Sequence, residues 1–295
     1  MNPHFDVCVV GGANLDLVAT TERLPRPGET VFGFTYAEHA GGKGLNQAIA
    51  ASRAGARTTL CCAVGDDPAA DRLLDVIAAD GIDDRGVQRL VGVPTGRALI
   101  GVSAAAENSI IVVGGANSKL DPEHVSTVAA SARVLLVQLE VPLATVSAAL
   151  TSARAAGAIT ILNPAPARQL SAAMLGLCDV VIPNEHEVEV LGGVDELLRL
   201  GARAVVVTLG SRGARLCTPE SGELLVPAFV VDAVDPTAAG DAFCGSFATA
   251  IAAGVAFAEA LRRAAAAGAL ATAQPGAVPS LPTRAAIDGL LSREA

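Results

Sequence analysis

The sequence predicts an α/β fold of three layers, with a mostly parallel central sheet between helices and a second, smaller β-sheet beside it. Three observations predict this. Short β-branched runs alternate with Ala- and Leu-rich segments of helical length, the rhythm of parallel strands joined by crossover helices. Polar or glycine-rich clusters follow directly on strand after strand. Two stretches, 16–38 and 95–113, break the rhythm with alternating segments and turn residues, as antiparallel hairpins do.

The elements follow in order. Val7-Cys8-Val9-Val10 forms the heart of a strand at 6–11, and further apolar runs predict strands at 58–63, 134–139, 160–163, 180–183 and 204–209. Such unbroken apolar runs suit strands covered on both faces. Between them, helical spacing predicts helices at 44–54, 69–80, 143–156, 167–175 and 185–191. The C-terminal part turns helical at 240–253, 257–273 and 283–292. The irregular stretches carry strand-like Thr30-Val31-Phe32-Gly33-Phe34-Thr35-Tyr36, Arg97-Ala98-Leu99-Ile100-Gly101-Val102 and Asn108-Ser109-Ile110-Ile111-Val112-Val113. Strands that leave and re-enter an α/β domain can form a small sheet over a site; a plain edge extension of the main sheet fits the same residues.

Composition narrows the function classes. At 295 residues and 51% hydrophobic, the chain fits one large α/β unit with an appendage. With no Trp, one Tyr and seven Phe, it lacks stacking platforms for single-stranded nucleic acid, and a net charge of −9 opposes a polyanionic partner, so no nucleic acid is expected. The longest apolar stretch, 242–258, is shorter than the roughly 20 residues a bilayer requires and is flanked by Asp241 and Glu259, so no membrane partner is expected. The polar start running straight into a strand predicts no signal peptide. Cys8, Cys61, Cys62, Cys178, Cys217 and Cys244 lie mostly inside apolar runs, as buried reduced thiols of a cytoplasmic protein do. His4, His39, His124 and His186 are scattered, which argues against a zinc site.

The chemistry-bearing clusters come next. Gly11-Gly12-Ala13-Asn14-Leu15-Asp16 follows the first strand, so Asn14 and Asp16 emerge where open α/β sheets bind ligands. If that segment is extended, the two side chains share one side and make a hydroxyl-binding pair; an Asx-stabilised turn is the structural alternative. Gly41-Gly42-Lys43-Gly44-Leu45-Asn46-Gln47 runs into a helix, lacks P-loop spacing, and offers close backbone approach with donors from Lys43 and Asn46. Glu140 ends a very apolar strand. Asn184 and Glu187 fit a capping-box-like helix start; the functional alternative is a polar pair near metal-bound phosphates. Thr208-Leu209-Gly210-Ser211-Arg212-Gly213 ends the most β-branched strand. Finally, Asp235-Pro236-Thr237-Ala238-Ala239-Gly240-Asp241-Ala242-Phe243 places small residues between two carboxylates ahead of an apolar helix. Backbone N–H groups at such a helix start can hold an anion, and Asp241 at its mouth can accept a proton from an attacking hydroxyl. A simple cap before a buried helix also fits these residues. Together, the clusters point to one composite site along the C-terminal edge of a sheet.

In this order the motifs resemble the ribokinase-like (PfkB) family of sugar and nucleoside kinases. The resemblance runs nearly end to end: Gly12 to Asp16 and Leu24-Pro25-Arg26-Pro27-Gly28-Glu29-Thr30, the Gly41–Gln47 signature, Gln138-Leu139-Glu140-Val141-Pro142, Asn163-Pro164-Ala165-Pro166, the N-x-x-E motif at Asn184–Glu187, and the second signature at 235–243. It implies the family's three-layer fold, with 1–13, 43–93 and 118–295 as the main nucleotide- and substrate-binding domain. Segments 14–42 and 94–117 become a β-lid over the sugar, supplying a homodimer interface. It also implies transfer of the ATP γ-phosphate to a primary sugar hydroxyl, with Asp241 as general base and the amides of Ala238, Ala239, Gly240 and Asp241 as anion hole. Asn14, Asp16, Gly42, Lys43, Asn46, Glu140 and Asp241 would hold the sugar. Asn184, Thr208, Gly210, Gly213 and Gly240 would serve ATP, and Glu187 the Mg²⁺ region. Asp235, Thr237, Ala271, Gly276 and Ser280 match an activating K⁺ site.

Ribose, giving ribose 5-phosphate, is the acceptor suggested by Gly115-Ala116-Asn117 and the paired Ala238-Ala239; deoxyribose, fructose, a nucleoside or another small sugar are the alternatives. Pro236, Leu45 and Ala265 depart from the family pattern. Two other classes are weighed. A dinucleotide-binding oxidoreductase is opposed by the missing G-x-G-x-x-G after the first strand. A non-catalytic sugar-binding protein on the same fold is opposed by Asp241 and its small-residue loop.

Overall fold

The computed structural model describes residues 3–105, 107–219 and 222–293; the outermost residues of the expected main domain, 1–2 and 294–295, lie outside them. From the N-terminus, β1 (Phe5–Val10) leads into β2 (Asn14–Thr21), β3 (Gly33–Gly41) and α1 (Lys43–Arg53). Then come β4 (Thr58–Gly65), α2 (Pro68–Ala79), β5 (Val87–Leu90), β6 (Gly96–Ser103) and β7 (Asn108–Val113). The middle alternates through α3 (Pro122–Ala129), β8 (Ala132–Val137), α4 (Leu143–Ala155), β9 (Ile159–Leu162), α5 (Ala172–Leu175), β10 (Val180–Val181), α6 (Glu185–Val190), α7 (Val194–Arg199) and β11 (Ala204–Thr208). The hairpin β12 (Ala214–Thr218) and β13 (Gly222–Val226) precedes α8 (Ala239–Ala252), α9 (Phe257–Thr272), α10 (Ala277–Ser280) and α11 (Arg284–Arg293).

The main sheet has nine strands in the order β13-β12-β11-β10-β9-β8-β1-β4-β5. From β11 to β5 every pairing is parallel, and β12 and β13 extend the edge antiparallel. Strand periodicity divides its side chains between two cores. Val7 and Val9 pack into one with Leu45, Ile49, Phe243 and Phe247. Cys8 and Val10 pack into the other with Leu135, Val137, Val146 and Leu150. That division is the three-layer arrangement: α1, α8 and α9 cover one face, α3 and α4 the other. Each fully buried Leu or Ile contributes roughly 1.5–3 kcal/mol of transfer free energy, so both faces, not one, hold the sheet.

Local chemistry explains the helix starts. Asp67 caps α2 by accepting from the Ala70 N–H at 3.0 Å, and Pro68 occupies the first turn, where its missing N–H costs nothing. At α1 the entry is set by glycine. Gly42 has φ +92°, and a Cβ on Gly44 would lie 2.5 Å from the Gly11 carbonyl carbon, so this helix start can press against the end of β1. The helix expected at 167–175 is reduced to Ala172–Leu175, capped by Ser171 onto the Met174 N–H. Residues before it are drawn elsewhere: Arg168 donates to the Leu139 carbonyl, and Gln169 to the Val190 carbonyl.

The second sheet has the order β3-β2-β6-β7. Its outer pairs are the expected antiparallel hairpins, but they join through a parallel β2–β6 pairing that runs from Asn14↔Gly96 to Thr21↔Ser103. Every residue of β7 is exposed, as are Phe32, Phe34 and Tyr36, leaving apolar side chains uncovered. All six cysteines are buried and free. Among the described residues, no helix is long and apolar enough to cross a membrane.

Candidate active site

The strand ends and the N-terminus of α8 converge on a cavity of about 240 Å³, lined by Lys43, Asn163, Asn184, Glu187, Thr208, Gly240 and Asp241 among others. Asp241 sits in the first turn of α8 and is 8% exposed. Its carboxylate accepts two amide hydrogen bonds from α1: Asn46 Nδ2 to Oδ2 at 3.0 Å and Gln47 Nε2 to Oδ1 at 2.8 Å. Helix α8 has no side-chain cap, and Ala238 before it is left-handed at φ 61°, a conformation costing about 1–2 kcal/mol for a residue with a Cβ. The first intrahelical bond runs from the Ala242 N–H to the Ala238 carbonyl at 2.8 Å, while the Ala239 N–H turns back to the Pro236 carbonyl at 3.2 Å. The N–H groups of Gly240 and Asp241 are in the first turn, where no helical acceptor reaches them. Around Gly240 there is open space. Of the four amides named from the family resemblance, Ala239 is thus the one already engaged.

Toward the second sheet the site is charged. Asn14 is buried at the start of β2, its Oδ1 accepting from Asn117 Nδ2 at 2.9 Å; Asn117 also exchanges hydrogen bonds with the Ala13 backbone. Asp16 lies two residues on, tight against Gly41. Glu140 accepts from the Lys43 backbone N–H at 2.9 Å. Burial pushes the Asp16 carboxyl up to about 7, and the Asp241 charge adds to this. Glu140 is also pushed up to about 7, chiefly by burial; Lys43 opposes that rise, and the charges of Asp241 and Asp16 reinforce it. Asp241 first, then Glu140 and Glu187, hold the Lys43 ammonium above its ordinary range against the effect of burial. The Asp241 charge thus acts on Asp16, Glu140 and Lys43 alike.

Asn184 and Glu187 realise the capping box, with 2.8 Å bonds in both directions, and line the cavity as well. The capping box expected of this pair is therefore present, and it stands at the cavity wall. Next to it lies a second, mostly apolar cavity of about 420 Å³, lined by Thr208, Gly210, Gly213, Phe229, Ala265 and Gly268 among others; Thr208, Pro236 and Gly240 belong to both cavities. Of the three departures from the family pattern, Ala265 faces this cavity, Pro236 lies between the two, and Leu45 is fully buried in the core.

Asp235 ties the loop before α8 to the C-terminal helices. Its Oδ1 accepts from the Thr237 N–H at 2.9 Å and its Oδ2 from the Gly276 N–H at 2.8 Å. Burial works against its charge, yet the bonds from Thr237 and Gly276 prevail and hold its carboxyl below the usual range. Ala271 and Ser280 are buried nearby in sequence, Ser280 donating to the Ala277 carbonyl. Sequence reasoning overlooked Gln47, Gln138 and Asn163 as site residues. They lie inside the quoted motifs, but their partners come from distant parts of the chain, Gln47 and Asp241 being 194 residues apart.

A charged pocket joined to an apolar one across a helix N-terminus is the layout of a small-molecule phosphotransferase. Residues 4–284 match the pfkB family carbohydrate kinase profile. A ribokinase of Haemophilus influenzae is 38% identical over 291 residues, covering 94% of this chain and 95% of that one. A deoxyribokinase of Salmonella typhi is 36% identical over 260 residues, covering 83% and 85%. The structure of an Arabidopsis thaliana ribokinase complexed with ribose and ATP superposes with a TM-score of 0.90 at 30% identity, covering 99% of both chains. The chain belongs to the pfkB family of carbohydrate kinases.

Proposed function

We propose that this protein transfers the γ-phosphoryl group of ATP to the primary hydroxyl of ribose, giving ribose 5-phosphate and ADP. One observation carries the reading: Asp241, held by two amide donors, stands at the uncapped N-terminus of α8 between a charged pocket and an apolar one. Asn14, Asp16, Gly42, Lys43, Asn46 and Glu140 bind the sugar hydroxyls. Asp241 accepts the hydroxyl proton as the oxygen attacks the phosphoryl group. The amides of Gly240 and Asp241, with Ala238 and Ala239 after a small rearrangement of the loop, receive the charge that develops on the transferring group. Adenosine enters the second cavity past Thr208, Gly210 and Gly213.

Glu187 and Asn184 fit the Mg²⁺ that accompanies ATP, since this ion is held through one or two carboxylates plus substrate phosphates. When bound, it neutralises phosphate charge. Asp235, with the backbone at Thr237, Ala271, Gly276 and Ser280, fits a K⁺ site, because its carboxylate already fastens two of these segments. We assign 14–42 and 94–117 to a lid over the sugar, whose exposed apolar face pairs with a second copy of the chain in a homodimer.

A coupled ADP-release assay over ribose, deoxyribose, fructose and nucleosides, with K⁺ or Na⁺, tests the proposal. Ribose turnover enhanced by K⁺ is expected. Turnover of deoxyribose with ribose inert would instead favour the second reading, which the Salmonella relative supports.

A further inference from the structure

We infer that Gln47 is a positioning residue for phosphoryl transfer: with Asn46 it fixes the Asp241 carboxylate, one amide donor to each oxygen, at the end of a chain of buried amides. The inference rests on the reading of Asp241 as general base. Gln47 lies in α1, is 0% exposed and does not line the cavity, so it acts only through its neighbours.

The orientation of every amide in the chain follows from one end. A carboxylate only accepts hydrogen bonds, so Gln47 must present Nε2 to Asp241 Oδ1, at 2.8 Å. The second hydrogen on that nitrogen goes to Asn163 Oδ1 at 3.0 Å. Asn163 must then present its nitrogen on the other side, where it donates to the Ile182 carbonyl at 2.8 Å. With its nitrogen committed, Gln47 offers Oε1, which Gln138 Nε2 fills. Gln138 is itself fully buried and lies over Gly11, where a Cβ would come within 1.9 Å of its Oε1.

Gln47 therefore links the first turn of α8 to the segments following β8 and β9, and Asn163 carries the chain on to the segment following β10. This matters because α8 begins without a side-chain cap and from a left-handed Ala238. Its first turn lacks the usual local constraint on the direction of Asp241. Asn46 alone would leave the carboxylate free to swing about a single bond. Two donors from successive residues of one helix hold both oxygens of a residue that lines the cavity.

Gln47→Met keeps the length of the side chain and removes its donor and acceptor. The expected result in the folded variant is a fall in kcat of about 10- to 100-fold, the scale of a misplaced reacting group. The KM values for sugar and ATP stay within about threefold, since neither substrate touches Gln47. In an Asp241→Asn background the same change adds no further loss, because the group it positions is gone. Gln138→Met, one step further back, is expected to lower kcat by a smaller factor of about 3- to 10-fold, and supplies the test if Gln47→Met does not fold. Unchanged kcat in the folded Gln47→Met protein overturns the inference, as does an equal loss in the Asp241→Asn background. If only Gln138→Met folds, unchanged kcat there overturns it. Near-wild-type turnover of Asp241→Asn removes the base assignment and this inference together, whereas an inactive Asp241→Asn beside a fully active Gln47→Met removes the inference alone.

Discussion

On the side of the site nearest the second sheet, Asp16, Glu140, Lys43 and Asp241 crowd charges into a buried space, whereas beyond Thr208 the walls are Phe229, Ala265 and Gly268. The first half presents side chains whose partners are fixed in advance, such as Asn117 holding Asn14. The second presents mainly shape and backbone. A single substitution should thus cost more on the charged half, and each half should fail in a different kinetic constant.

The largest effect is expected at the junction. Asp241→Asn should lower kcat by about 10²–10⁴-fold, the usual contribution of a general base, while ribose binding measured by calorimetry persists. Turnover near that of the wild type would remove Asp241 from its role. On the charged half, Asp16→Asn should raise the sugar KM by about 10- to 100-fold, the scale of hydrogen bonds to a charged group, and leave the ATP KM unchanged. On the apolar half, Ala265→Leu, projecting into the second cavity, should raise the ATP KM by about tenfold without moving the sugar KM. A shift in both constants for either variant would show that the halves are not independent.

The smallest effect is one of pH. In the free protein Asp16 and Glu140 titrate at about 7, against roughly 3.9 and 4.3 for ordinary carboxyl groups. The folded state keeps protons that the unfolded chain has released, so their contribution to stability is full below about pH 4 and is lost as pH rises toward 7. Asp16→Asn removes part of that loss. Its melting temperature should exceed the wild type's at pH 8 by more than at pH 4, and an equal difference at both would contradict the assignment. On the proposed reading sugar hydroxyls donate to the ionised groups, so ribose affinity should weaken several-fold as pH falls from 8 to 6.

How much of this could be read in the sequence differs along the chain. The strands leading to Gly11, Glu140 and Leu209 were legible because unbroken apolar runs stop at polar clusters, although β8 already ends at Val137, three residues before Glu140; the capping box at Asn184 was legible because its spacing is local. The hairpin β12–β13 was not, since strand β13 is mostly exposed and shows no clean alternation. Helices α3 and α7 also went unread: each is short, at eight and six residues, with few periods to detect. Gln47 was hidden for another reason. Nothing near it in the chain reveals that it lies under Asp241, whereas Asn46 beside it was picked out as a donor. Local patterns disclose elements and their ends; a buried amide discloses its role only when distant strands are brought together.

Asn14 is the first residue of β2, where the four-stranded sheet is rooted, and Gly96 and Asn117 meet it there. Phe32 and Phe34 lie at the far end of β2, eight residues long, about 23 Å away. A lever gripped at its fulcrum amplifies what happens in the hand: a tilt of about 10° at Asn14 sweeps the tip by about 4 Å over that strand length. Contact with one hydroxyl at the root would then be felt most at the far end of the sheet, so occupancy of the pocket and the position of Phe32 and Phe34 would be geared to each other by leverage alone.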